Sequence, residues 1–267
     1  MHHVRQLIFT LFTFSLGLFL VGCGHQSKPQ PATKLAFVQS GQHNQPRIWF
    51  QFQQDSASVT AHSTITSIYL LRNGRVTTYM MPTGHQKLTL ALVDRLSTGK
   101  LIETARNKDK QAYKQGVKTQ RATLADSIAG LKTDLKSLRQ SKSNSTQIKT
   151  LERYLKVNQS IYDNPQSYSA PKSYQLTGTL SSNGEQFGLK LFPVKTVQYG
   201  DANVIMANAT PFNNLTYSKR LQPKQFGQHH YAGYQADITG YHYQLLTRVS
   251  ANTKIIYDTA KTTGVSK

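Results

Sequence analysis

The 267-residue chain holds one cysteine, one tryptophan and only 12 acidic residues. A single cysteine excludes a disulfide scaffold and any cysteine-built zinc or iron–sulfur centre. Twelve carboxylates against 32 Lys+Arg disfavour multi-carboxylate calcium and two-metal sites. The longest uncharged apolar run, Leu7–Leu20, is too short for the roughly 20-residue helix that spans about 30 Å of hydrocarbon. Also absent are a G-x-S-x-G elbow, a Walker A loop, a G-x-G-x-x-G fingerprint, an H-E-x-x-H pair and any repeat of fixed period. No catalytic signature remains, so the chain is expected not to be an enzyme and to need no cofactor.

What the chain does have is a formal charge of +20 and enough aromatic residues, 14 Tyr and 11 Phe, to build a core. Its first residues read as an address. A short start carrying Arg5 precedes Leu7–Leu20, which has the length of a signal-peptide apolar region, with a small-residue exit at Gly22. Leu20-Val21-Gly22-Cys23 resembles the lipobox of bacterial lipoproteins, and the chain's only cysteine stands where that signal is diacylated. Two acyl chains supply stable anchoring that one chain does not. Gly24–Lys34 is polar, contains two prolines and reads as a tether of at most about 36 Å. The expected organisation is a signal peptide over 1–22, a lipidated Cys23 and flexible tether over 23–34, and an extracytoplasmic domain over 35–267.

That domain falls into three zones. Residues 35–81 read as β, with the aromatic strand Ile48–Phe52 and an Asn73-Gly74 turn between two β-rich runs, a strong hairpin signal. Residues 86–162 read as helical, interrupted near Ser97-Thr98-Gly99. Val117, Arg121, Leu124, Ile128, Leu131, Leu135 and Leu138 alternate spacings of four and three, the seam of a coiled coil. Ser141–Ser145 breaks the pattern, Asn144 and Gln147 suggest a capping box, and Ile148, Leu151, Leu155 and Tyr162 resume the seam. Residues 173–267 are β again. Asn183-Gly184 suggests a second hairpin there, and Ser250-Ala251-Asn252 a third, joining Tyr241–Val249 to Lys254–Tyr257. The fold class expected is α+β: antiparallel sheet segments from both ends of the chain, with an inserted antiparallel helical hairpin. Whether the two β zones share one sheet stays open at this level.

The strand Ile48–Phe52, the segment Ile68–Thr77 and the terminal Leu245–Gly264 look like small surface lipoproteins of lactobacilli and related Gram-positive bacteria. The resemblance covers both ends of the chain and leaves the helical middle weakly matched. It implies a lipid anchor on the outer face of the cell membrane and transfers no catalytic residue.

Candidate chemistry is sparse. His229 and His230 with His242, and Asp237 nearby, form the best metal candidate. Adjacent strand residues point to opposite faces, so at most one of the pair can join His242, and no metal site is assigned. The tyrosines around Gly233-Tyr234 and Gly240-Tyr241 suit either a ligand platform or plain strands. The large signal is charge. Between Glu103 and Lys156 lie 13 Lys+Arg and 5 Asp+Glu. Lys132, Lys136, Lys142 and Lys149 lie off the seam and are the residues assigned to an anionic surface: wall polymer or lipid headgroups. The expected function is therefore that of a non-catalytic envelope interaction protein, with a protein partner as a further option. The alternative is a ligand-capturing surface protein for glycan, peptide or DNA, and an envelope hydrolase ranks below both.

Cys23→Ser should abolish incorporation of labelled fatty acid into the protein and release it from the membrane fraction; continued labelling of the variant would refute the assignment.

Overall fold

Ile48, Phe50 and Phe52 alternate along the chain with Trp49 and Gln51, and all five are buried. Successive strand residues face opposite ways, so such a segment must lie inside a sheet that is covered on both sides. The computed structural model describes residues 33–56, 58–141, 145–191, 210–211, 215–238 and 240–267 and has that arrangement. The first β zone contributes β1 (Lys34–Leu35), β2 (Arg47–Gln54), β3 (Thr64–Arg72) and β4 (Arg75–Met80), with a short helix α1 (Phe37–Ser40) after β1. Then come β5 (Leu88–Thr89), α2 (Leu90–Asp94), α3 (Thr98–Gln140) and α4 (Ser145–Asp163). The chain returns through β6 (Tyr174–Gln175), β7 (Gly178–Ser181), β8 (Gly184–Phe187), β9 (Lys190–Leu191), β10 (Thr210–Pro211) and β11 (Thr216–Tyr217). It ends with β12 (Lys219–Phe226), β13 (His229–Ile238), β14 (Tyr241–Val249), β15 (Lys254–Ile255) and β16 (Val265–Ser266). The fold is α+β.

The two β zones make one sheet. Its order is β12-β13-β14-β2-β3-β4-β6, antiparallel throughout, with β5 added beside β3. Asn73 and Gly74, at φ of 52° and 68°, form the turn between β3 and β4, as the Asn-Gly signal requires. Trp49, Tyr69, Leu71, Val76, Tyr234 and Leu245 face one core, closed by α1, Leu176 and the smaller sheet β11-β8-β7-β16. Phe50, Phe52, Ile68, Tyr79, Tyr231 and Leu246 face the other, closed by Leu90 and Val93 of α2 and by Leu101 and Ala105 of α3.

The helical insertion leaves after β4 and returns to the same strand, because β6 pairs with Arg75 and Val76. Ser97 caps α3, accepting from the Lys100 N–H. Buried Asp109 pins this helix to the sheet, accepting from the Met80 N–H at 2.7 Å and the Tyr168 hydroxyl at 2.9 Å. Beyond Gln115, which exchanges hydrogen bonds with Thr83, α3 continues with α4 as its partner. The pair is antiparallel: Arg121 lies 4.6 Å over the Tyr162 ring near the base, and Arg139 meets Glu152 at 2.6 Å toward the tip. Leu124, Ile128, Leu131 and Leu135 are buried along the seam that their heptad spacing predicts. The expected Asn144 cap lies outside the described residues.

Two expectations need correction. Residues 37–40, within the zone read as β, form α1. The hairpin expected at Ser250–Asn252 does not form: the chain turns there, with the Thr253 N–H on the Ser250 carbonyl, but β15 pairs in parallel with β1 instead of β14. Burial decides this. Both edges of β14 are already taken, by β13 and β2, and Leu35 and Ile255 enter the first core as a parallel pair. The second hairpin is present, with Ser182-Asn183 as its turn and Gly184 already in β8.

A buried carboxyl pair joins the chain's two ends. Asp258 accepts from the N–H groups of Val38 and Gln39 at 2.7 and 2.8 Å, and its own N–H donates to Glu185 at 3.0 Å. Glu185 is fully buried, and its second oxygen has no hydrogen-bond partner among the described residues. Burial raises the pKa of both groups, and the Asp258 charge raises that of Glu185 further. A carboxyl raised in the folded state stabilises fully below the ordinary carboxylate range and loses that contribution as pH rises through its folded value. Glu185→Gln should therefore raise stability at about pH 8 by about 1–2 kcal/mol and flatten its fall from about pH 5 to about pH 8. Urea unfolding across that range is the measurement, and a variant with the wild-type pH slope would overturn the assignment.

Candidate functional site

The histidines do not converge. In the β13–β14 ladder Asp237 pairs with His242 and His230 with Val249. His230 and His242 are thus separated along the hairpin by about 23 Å at 3.3 Å per residue. Each outer histidine serves its own carboxylate: His229 Nδ1 lies 2.9 Å from Asp94, and His242 Nδ1 lies 2.7 Å from Asp237. Among the described residues no three His, Cys, Asp or Glu are grouped to hold a metal ion. Tyr231 and Tyr234 are buried in opposite cores, so the C-terminal tyrosines do not assemble one platform.

The Asp94 cluster is a clamp. Buried Asp94 accepts from the Gln228 N–H at 2.8 Å and the Tyr231 hydroxyl at 3.0 Å as well as from His229. Burial alone would raise its pKa, but these hydrogen bonds outweigh it, and the net shift is downward. Arg248 completes the cluster, donating to the Tyr231 hydroxyl and to the carbonyls of Leu96 and Val93 at the end of α2. Gly227, at φ 60°, turns the chain so closely over Asp94 that a Cβ there would lie 2.3 Å from the carboxylate. The cluster fastens the β12–β13 turn to α2 and presents no nucleophile. Asp237 is its exposed counterpart at the other end. Lys219 and His242, with Gln235, hold its pKa down at about 2.

A cavity that combines chemistry with access lies on the helical hairpin. A groove of about 820 Å³ opens between the outer halves of α3 and α4. Leu135 and Leu155 line its apolar part, while Lys132, Lys136, Arg139 and Lys156 bring four cations to it and Glu152 one carboxylate. Helix geometry explains the set: positions 132, 136 and 139 recur every three to four residues on one face of α3, as do 152, 156 and 159 on α4. Arg139 spends its charge on Glu152 across the two helices. Among the described residues, Lys132, Lys136 and Lys156 form no ion pair. Their methylene stems can cover the leucines while the ammonium groups stay in water.

Of the lysines assigned from the sequence, Lys132 and Lys136 line this groove. Lys149 is exposed two turns beyond Lys156 toward the tip of the hairpin, outside the lining. Lys142 and Cys23 lie outside the described residues. Arg139, Lys156 and the leucine floor were not part of the sequence assignment. The resumed spacing Ile148-Leu151-Leu155 was the signal for that floor. No protein-family model, curated protein or solved structure matches the chain.

Asp94→Ala would leave three buried or half-buried donors without their acceptor, and should lower stability by about 2–4 kcal/mol. Asp237→Ala removes an exposed network and should cost about 1 kcal/mol or less. Denaturant midpoints of the two variants decide this, and equal losses would contradict the clamp.

Proposed function

We propose that the chain is a lipid-anchored, non-catalytic protein of the cell envelope, held by a diacylated Cys23 on the outer face of the membrane. In this reading its helical hairpin is an electrostatic arm for anionic surfaces, either wall polymer or lipid headgroups. The observation that carries it is the run of lysines without ion pairs, among the described residues, on an insertion whose outer half pairs α3 with α4. Beyond Gln115 about 25 residues of α3 remain, about 37 Å at 1.5 Å per residue, so the arm has a reach of the same order as the tether. No helix of the described residues is long and apolar enough to cross a membrane. In this reading the lipid on Cys23 is the attachment, and lysines near an anionic leaflet add about 1 kcal/mol each. The resemblance to Gram-positive surface lipoproteins supports the same location. Capture of a ligand is the second reading, favoured by the groove.

The described residues from Thr33 onward form one compact unit with its own two cores, so the soluble segment Thr33–Lys267 suits the test. It should bind vesicles containing phosphatidylglycerol at low salt and release them as salt approaches physiological strength, where the screening length is about 8 Å. Replacing Lys132, Lys136, Lys142 and Lys149 with Glu should lower partitioning at least about tenfold with helical circular dichroism unchanged. A wild-type segment that ignores anionic vesicles and isolated cell walls even at low salt would sink this reading.

A further inference from the structure

Two helices alone cannot enclose a seam on every side; a third surface is needed wherever the pair opens. Near the base of the hairpin that surface is the protein itself. In its outer half α3 and α4 part enough to leave the groove above Leu135 and Leu155, and among the described residues its lining comes from these two helices. A long apolar-floored cleft with a polar rim is the ordinary form of a small-ligand site. Its rim selects among occupants. Lys132, Lys136 and Lys156 are without ion pairs among the described residues, and Glu152 is already engaged by Arg139. A second copy of the same face would set these lysines against lysines, which is repulsive. A neutral acyl chain would satisfy the floor and leave the rim unused. A bare phosphate would satisfy the rim and leave the apolar lining unused.

We propose that this groove binds an anionic phospholipid, with one acyl chain laid along Leu135 and Leu155 and the phosphate held by Lys132, Lys136 and Lys156. The inference rests on the envelope reading above and sharpens it: the arm extracts a lipid chain from an anionic leaflet and does more than touch its charge. Binding is non-covalent and involves no bond change.

Isothermal titration of Thr33–Lys267 with monomeric lysophosphatidylglycerol, kept below its micellar concentration, tests it. One site per chain should saturate, with affinity at least tenfold above that for lysophosphatidylcholine of the same chain length. Glycerol 3-phosphate, which has the head and no chain, should not bind measurably. Leu155→Trp, which fills the floor, should lower lysophosphatidylglycerol affinity at least tenfold while leaving low-salt adsorption to anionic vesicles intact. Lys132→Gln with Lys136→Gln should lower it comparably without filling the floor, and circular dichroism checks both folds. Equal affinity for the phosphatidylcholine analogue, or for glycerol 3-phosphate, would overturn the proposal, as would a concentration-dependent dimer that Leu155→Trp abolishes. Vesicle adsorption without saturable lysolipid binding also overturns it and leaves the envelope reading standing. Saturable binding without adsorption does the reverse.

Discussion

The structure depends on the ladder between β2 and β14, which joins residues about two hundred positions apart. Arg47 donates to the carbonyl of Arg248, and the Thr247 hydroxyl to that of Ile48 at 2.7 Å, so side chains reinforce the backbone pairing from both strands. The consequence is a shared wall. Trp49 stacks on Tyr234 at 5.7 Å on one side, while Phe50 and Leu246 pack on the other. Losing this ladder would therefore open both cores together. It also explains why a long insertion is tolerated. Loop-closure entropy grows only slowly with length, and β4 and β6 bring the insertion's ends to one edge of an already completed sheet. Asp109, Tyr168 and Met80 then close its base, and the outer hairpin rests on the pairing of α3 with α4.

Local chemistry was legible where it alone decides the outcome. Asn73-Gly74 forms its turn because both residues must accept positive φ, a requirement that does not depend on the rest of the fold. The buried set Leu124, Ile128, Leu131 and Leu135 follows from spacing, because any partner helix would bury that stripe. The Ser250–Asn252 segment shows the limit. Its turn is real, but the fate of the strand after it was settled by a vacancy in a distant core that Leu35 and Ile255 fill together. The turns at Gly227 and Gly240, both at positive φ, likewise draw their meaning from pairing partners. The groove escaped for a related reason: heptad spacing describes a seam and says nothing of where two helices diverge. Half of its cations were nonetheless visible as lysines lying off that seam.

Burial also redistributes charge in a way that composition hides. Asp94, Asp109, Glu185 and Asp258 are buried, four of the chain's twelve acids, and each answers structural donors. Asp94 holds a turn to α2, Asp109 holds α3 to β4, and the Glu185–Asp258 pair holds the C-terminal segment to α1. Carboxylates spent in this way do little to neutralise the surface. In the Glu185–Asp258 pair burial raises both pKa values, and the Asp258 charge raises that of Glu185 further, so the pair resists carrying two full charges. With these four acids inside, the basic excess of the chain falls mainly on its exterior. Such an excess raises self-repulsion and would disfavour the compact state if it were spread over the cores. Placing much of it on a hairpin that reaches away from the sheet relieves that cost. It leaves Lys132, Lys136 and Lys156 crowded around Leu135 and Leu155, where an anion gains from all three and an apolar chain gains from the floor. The same segregation that protects the fold thus creates a surface on the hairpin suited to a ligand that is both charged and greasy.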